Sequence, residues 1–258
     1  MKTTALSIAV IVIGGSAVAE QHMSMSYCDT AFIPGDKNAD GMISAEEETA
    51  MRDVLYESLD ANADGSITRE EFAACMTRAQ DGMSGMSPAT GDDASFDAAD
   101  ANADGSVDAA ELFTASRDAY DDAMANTDDT AGMAALNPYM SMPMTDAGDP
   151  DIEAVMGFTP DQYFGQVARS YTGADTDADG TLSREEWVDR AQSHMADAEA
   201  INNNFDAVDA NADGSIDRGE FDTDMASRME AAMSNSDRDG FTDETKGIPA
   251  LYYYREAM

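Results

Sequence analysis

Positive charge is the scarcest thing in this sequence: 14 Lys and Arg stand against 52 Asp and Glu, a formal charge of −38 over 258 residues. Such a field repels nucleic acid and anionic lipid, so neither is expected as a partner, and cations are the natural counterpart. His22 and His194 are the only histidines, and no serine or cysteine sits in a recognisable nucleophile motif. Enzymatic activity is therefore not expected. Long apolar runs are missing too: beyond the first residues nothing approaches the roughly 18 apolar residues that a membrane span needs.

The first residues read as an export signal. Lys2 gives a short positive start, Ala5 to Gly15 is apolar, and "AVA" at Ala17 to Ala19 ends in small residues. Residues 1–19 are expected to be removed, leaving a soluble periplasmic or secreted protein. Cys28 and Cys75 are the only cysteines, and in an exported chain they are expected to form a disulfide.

Against this sparse background one pattern recurs. "DANADGS" occurs three times, at Asp60, Asp100 and Asp209, and the wider pattern D-x-[DN]-x-[DN]-G-x5-E has five complete matches of twelve residues. Position 1 is Asp36, Asp60, Asp100, Asp175 or Asp209; position 3 is Asn38, Asn62, Asn102, Asp177 or Asn211; position 5 is Asp40, Asp64, Asp104, Asp179 or Asp213. Position 7, acting through its carbonyl, is Met42, Ser66, Ser106, Thr181 or Ser215; position 9 is Ser44, Thr68, Asp108, Ser183 or Asp217; position 12 is Glu47, Glu71, Glu111, Glu186 or Glu220. Glycine holds position 6 throughout, where the chain must turn through a conformation that a Cβ resists.

These windows resemble the calcium loop of the EF-hand superfamily, and the resemblance implies ligands at positions 1, 3, 5, 7, 9 and 12 in each, hence about five Ca2+ sites. Calcium is hard and large, and takes six to eight oxygens, which suits carboxylates, amides and a carbonyl better than nitrogen or sulfur. The implied fold class is all-α: tandem helix-loop-helix pairs joined by very short β pairings, with position 8 (Ile43, Ile67, Val107, Leu182, Ile216) supplying the strand residue. A helix capping box also explains positions 9 to 12, and the two roles are compatible.

Helical spacing places core faces at Met51, Val54, Leu55 and Leu59, at Phe164, Val167, Tyr171 and Ala174, and at Ile201, Phe205 and Val208. Phe72, Leu112, Trp187 or Phe221 follows position 12 and should join the same core. The first hand departs: Pro34 and Gly35 precede Asp36, so a normal incoming helix is not expected, and the disulfide could replace what that helix would contribute. Damaged copies start at Asn126 and Asn235. Lacking the final carboxylate, they are expected to hold calcium weakly or not at all and to serve as pairing partners. Two Gly, Ser and Pro-rich stretches, 80–93 and 137–150, read as linkers. The second divides an N-terminal domain, 20–145, from a C-terminal domain, 146–258.

The leading function is an exported calcium-binding protein acting as sensor, buffer or calcium-stabilised interaction module. Nineteen methionines allow a Met-lined groove for a protein target. The close spacing of the first two loops is similar to that in lanmodulin, an exported bacterial EF-hand protein that prefers lanthanides, but that family's proline at position 2 is replaced by Lys37, Ala61, Ala101, Thr176 and Ala210. A third alternative is soft-metal carriage by "HMSM" at His22 to Met25 and "MSMPM" at Met140 to Met144.

Overall fold

The computed structural model describes residues 26–30, 32–82, 86–87, 89–126, 132, 135–145, 147, 149, 151–189 and 198–257. The expected leader, the "HMSM" stretch and both histidines lie outside them. Each loop is followed by a helix because position 9 is a Ser, Thr or Asp whose side chain accepts the position-12 backbone N–H, satisfying one of the free donors of the first turn. These helices are α2 (Ala45–Leu59), α3 (Arg69–Gly82), α5 (Ala109–Ala125), α8 (Arg184–Val188) and α10 (Arg218–Arg238). Other helices among the described residues are α1 (Tyr27–Thr30), α4 (Asp93–Ala99), α6 (Ile152–Met156), α7 (Pro160–Ala174), α9 (Ala198–Val208) and α11 (Ala250–Ala257). None among the described residues is long and apolar enough to cross a membrane.

The only strands among the described residues are short antiparallel pairs, and they set which loops meet. Ile67 opposes Ile216 and Val107 opposes Leu182, so the Asp60 loop pairs with the Asp209 loop and the Asp100 loop with the Asp175 loop. Ile43 of the Asp36 loop opposes Ile248. In each pair the two position-8 or equivalent side chains are buried, which fixes the register. All three pairings join a segment before residue 145 to one after it, so the regions 20–145 and 146–258 share their hand pairs and one contiguous core. The two expected linkers pair with each other: Met86–Ser87 lies against Met142–Pro143. Met140 and Met142 are buried there, packing as core residues rather than standing exposed in a tether.

Helix α2 departs from its expected face. Met51 and Leu59 are buried and Leu55 is partly so, but Val54 is exposed at 36% while Tyr56 is buried. The buried stripe also takes in Glu47 and Glu48, so it is rotated away from Val54. The other expected core positions, Phe164, Val167, Tyr171, Ala174, Ile201, Phe205 and Val208, are buried, as are Phe72, Leu112, Trp187 and Phe221. The first hand carries Glu48 in the place of that large apolar residue, buried and paired with Arg52 at 3.1 Å.

The expected absence of a helix before Asp36 holds beyond the four-residue α1. Cys28 and Cys75 form a disulfide that ties α1 to α3. Phe32 then stacks near Tyr254, with ring centroids 5.1 Å apart, and sits so close over Gly165 that a Cβ there would lie 2.2 Å from its ring. Thus α7 and α11 occupy the role of the missing incoming helix.

Candidate metal centres

All five loops close in the same way. The position-1 carboxylate accepts the backbone N–H groups of positions 5 and 6: Asp36 from Asp40 and Gly41, Asp60 from Asp64 and Gly65, Asp100 from Asp104 and Gly105, Asp175 from Asp179 and Gly180, and Asp209 from Asp213 and Gly214, at 2.6–3.2 Å. The position-12 glutamate folds back over the loop. One oxygen accepts the N–H of position 2 or 3 and the other that of position 9. First and last acids are thereby fixed on one concave turn.

Two backbone positions make the turn possible. Position-6 glycines have φ from +79° to +94°, which suits a residue without Cβ. Position 4 is also left-handed, yet it is alanine in every loop: Ala39, Ala63, Ala103, Ala178 and Ala212 have φ of +56° to +57°. That strained alanine was not singled out from the sequence. Its signal was its invariance, between an Asn or Asp and an Asp, across five windows.

The remaining ligand positions divide. Position-5 aspartates accept the position-7 N–H, which orients the short turn. The position-9 carboxylates Asp108 and Asp217 cap their helices, accepting from Glu111 and Glu220 at 2.9 Å. Counting acids, the Asp100, Asp175 and Asp209 loops look equivalent, with four each. Geometry separates them: Asp175, Asp177 and Glu186 each present a carboxylate oxygen, all within 4.8 Å of one another. The Asp175 loop alone carries an acid at position 3; elsewhere the position is asparagine.

Electrostatics in that loop pull in opposite directions. Burial pushes Asp175 up from the ordinary carboxylate value, and the charges of Asp179 and Glu186 add to the push against hydrogen bonds from Gly180 and Asp179. Glu186 is held down at about 2: burial opposes, but four hydrogen bonds from Ser183 and Thr176 outweigh it. The Asp175 and Glu186 carboxylates crowd each other. A hard cation relieves that repulsion, and an all-oxygen donor set of this kind fits calcium.

Four regions of the chain, residues 57–76, 92–112, 174–189 and 204–226, match the family model described as EF hand. These four regions are EF-hands, the module of a superfamily of calcium-binding proteins. The matched regions enclose the loops from Asp60, Asp100, Asp175 and Asp209; the Asp36 loop lies outside them, although it shares their hydrogen bonds. No curated protein and no solved structure matches the chain.

The damaged EF-hand from Asn235 does not form a loop at its start. Helix α10 continues to Arg238, so positions 1 to 4 are helical, and Asp239 at position 5 accepts from the Tyr252 hydroxyl at 2.8 Å. Its pairing role falls instead to Ile248–Pro249, beyond its last residue, where Gly247 at φ +123° passes against Ile43. The copy from Asn126 lies partly outside the described residues. Asp161 is a site neighbour that the sequence reading missed. It is 1% exposed, accepts from Tyr254 Oη at 2.5 Å and from Gly35 N at 2.8 Å, and holds the approach to Asp36. Burial raises its pKa to about 6.

Proposed function

We propose that this EF-hand protein is exported and binds about five calcium ions in loops locked into pairs, acting as a calcium buffer and calcium-stabilised module. The observation that carries the calcium assignment is the convergence of Asp175, Asp177 and Glu186 on a turn whose hydrogen bonding recurs in four other loops. The apolar faces of the hands are covered within the chain: the exposed large hydrophobics among the described residues are Val54, Val188 and Met233. That favours a buffer over a protein that offers a groove. Export draws support from the leader-like residues 1–19 and from a disulfide, a bond that persists in oxidising compartments. The reading includes no enzymatic role.

Calcium calorimetry on the chain lacking residues 1–19 tests this. Uptake of about five ions is expected. Glu186→Gln should weaken the Asp175 loop by more than the roughly 10–100-fold that loss of an outer-shell partner costs. No heat of binding, together with an unchanged melt in Glu186→Gln, would sink the assignment.

A sensor role is the second reading. It is favoured by a cavity of about 120 Å³ between the Asp60 and Asp209 hands, lined by Leu55, Phe72, Met76 and Met225 among others. Here a Met-lined groove could widen. A hydrophobic dye that binds only with calcium supports the sensor; equal binding with and without calcium supports the buffer.

A further inference from the structure

Arginine is the first residue of three helices, Arg69 in α3, Arg184 in α8 and Arg218 in α10. That is the end at which the helix dipole disfavours a cation. Their own helices do not fully explain them: only Arg218 has a partner there, Asp222 one turn on at 2.8 Å. All three stand at loop position 10, and all three reach across to the partner hand. Arg69 lies over the ring of Phe205 at 4.2 Å and pairs with Asp206; Arg184 lies over Phe96 at 4.2 Å and pairs with Asp97; Arg218 lies over Tyr56 at 5.1 Å and pairs with Asp53.

The ring touched is in each case four residues before the partner loop's first aspartate. It is in the last turn of the incoming helix, whose negative end has no basic residue of its own. The same ring also meets, edge to face, the residue after the closing glutamate: Phe72 with Phe205, Trp187 with Phe96 and Phe221 with Tyr56, with centroids 5.2–6.1 Å apart. One loop thus holds the other's incoming helix at a single aromatic residue, with a guanidinium and with a second ring. The grip is reciprocal between the Asp60 and Asp209 loops. It is one-way between Asp175 and Asp100, because position 10 of the Asp100 loop is Ala109.

We propose that Arg69, Arg184 and Arg218 specify which hands pair and couple calcium binding between loops far apart in sequence: Asp60 with Asp209, and Asp100 with Asp175. The physical link is short. Each arginine is two residues from its own closing glutamate, and the helix turn it holds leads directly into the partner's first ligand. This rests on the calcium reading above, and goes beyond it in naming the coupled sites and the residues that couple them.

The test is a calcium titration of the full chain followed at the amides of Gly65, Gly105, Gly180 and Gly214, each bonded to its own loop's first aspartate. In the wild type, Gly65 and Gly214 should respond together. Glu71→Gln should shift the Gly214 response several-fold to higher calcium and leave Gly105 and Gly180 in place. Arg69→Ala with Arg218→Ala should weaken Gly65 and Gly214 by ~3- to 10-fold and make their responses separate. Arg184→Ala, a single and milder change, should do the same to Gly105 and Gly180 alone. Far-UV circular dichroism checks that the variants fold. Unchanged Gly65 and Gly214 responses in the double variant, or an equal shift of Gly105 in Glu71→Gln, overturns the proposal. If no glycine responds to calcium in the wild type, the calcium reading itself fails and the coupling falls with it.

Discussion

The loops from Asp36 and Asp60 close with the same hydrogen bonds but stand on different supports. The Asp60 loop is entered from a fifteen-residue helix, followed by Phe72 in an aromatic cluster, and paired with another complete loop. The Asp36 loop is entered from a segment with no helix or strand, followed by the buried Glu48, and paired with two residues beyond a damaged hand. Local sequence is therefore sufficient to shape the turn. What holds the turn in place is supplied from wherever the chain can reach: here a disulfide, the start of α7 and the last helix. The family model likewise matches the second loop and not the first.

Breaking the disulfide should sharpen this contrast most. Closing a segment of 47 residues stabilises a fold by about 4 kcal/mol in the chain-entropy model, so reduction should lower the melting midpoint by roughly 8–15 °C for a chain of this size. Amide exchange should accelerate first in the Asp36 loop and α1, with Trp187 emission changing late, because Trp187 lies between the Asp100 and Asp175 hands with its indole N–H on Ser95. Equal acceleration in all five loops would show that the tether serves the whole fold rather than the first hand.

Next comes Asp161, the acid that braces the first loop and has no counterpart at the second. Its folded pKa of about 6 stands above the ordinary 3.8. The protonated form is thus favoured by folding: the stabilisation is present below about pH 3.8 and is lost as pH rises through about 6. The full shift corresponds to roughly 3 kcal/mol. Asp161→Asn should remove that part of the slope in denaturant stability measured without calcium between pH 4 and 6. A slope identical to wild type would place the titration elsewhere. Tyr254→Phe is a smaller perturbation. It removes the hydroxyl that donates to Asp161 and leaves a buried carboxylate oxygen with one partner fewer, which should cost about 1–2 kcal/mol and lower calcium affinity at the Asp36 loop while sparing the Asp60 loop.

These contrasts also show what could be read from residues alone. The ligand spacing, the position-6 glycines, the caps and the all-helical class follow from contacts within about a dozen residues, and pattern carries such information well. Long-range facts were hidden. The strand residues do not say that the partner of Ile67 is Ile216 rather than Val107, since every position 8 is the same kind of branched side chain, and the reach of Arg69 to Asp206 shows only in the fold. Asp161 is one of 52 acids and becomes distinctive only through its burial against Tyr254. Met86–Ser87 and Met142–Pro143 have linker composition because two-residue strands need no more than a register and a partner. Val54 failed for a different reason: its spacing fits a helical face, but α2 leaves one hand and enters another, and its buried stripe is set by both.

The smallest effect tests what the two loops share. Alanine at position 4 adopts φ of +57° at both Ala39 and Ala63, a left-handed conformation that costs an L-residue roughly 1–2 kcal/mol. Glycine removes that strain but gives the unfolded chain more freedom, an offset of about 0.4–1 kcal/mol. Ala39→Gly and Ala63→Gly should therefore each stabilise by about 1 kcal/mol or less, by similar amounts, despite the different surroundings. A gain at Ala63 with a loss at Ala39, measured by chemical denaturation without calcium, would mean that the support beneath the first loop reaches into the turn itself, and that local sequence alone does not shape it.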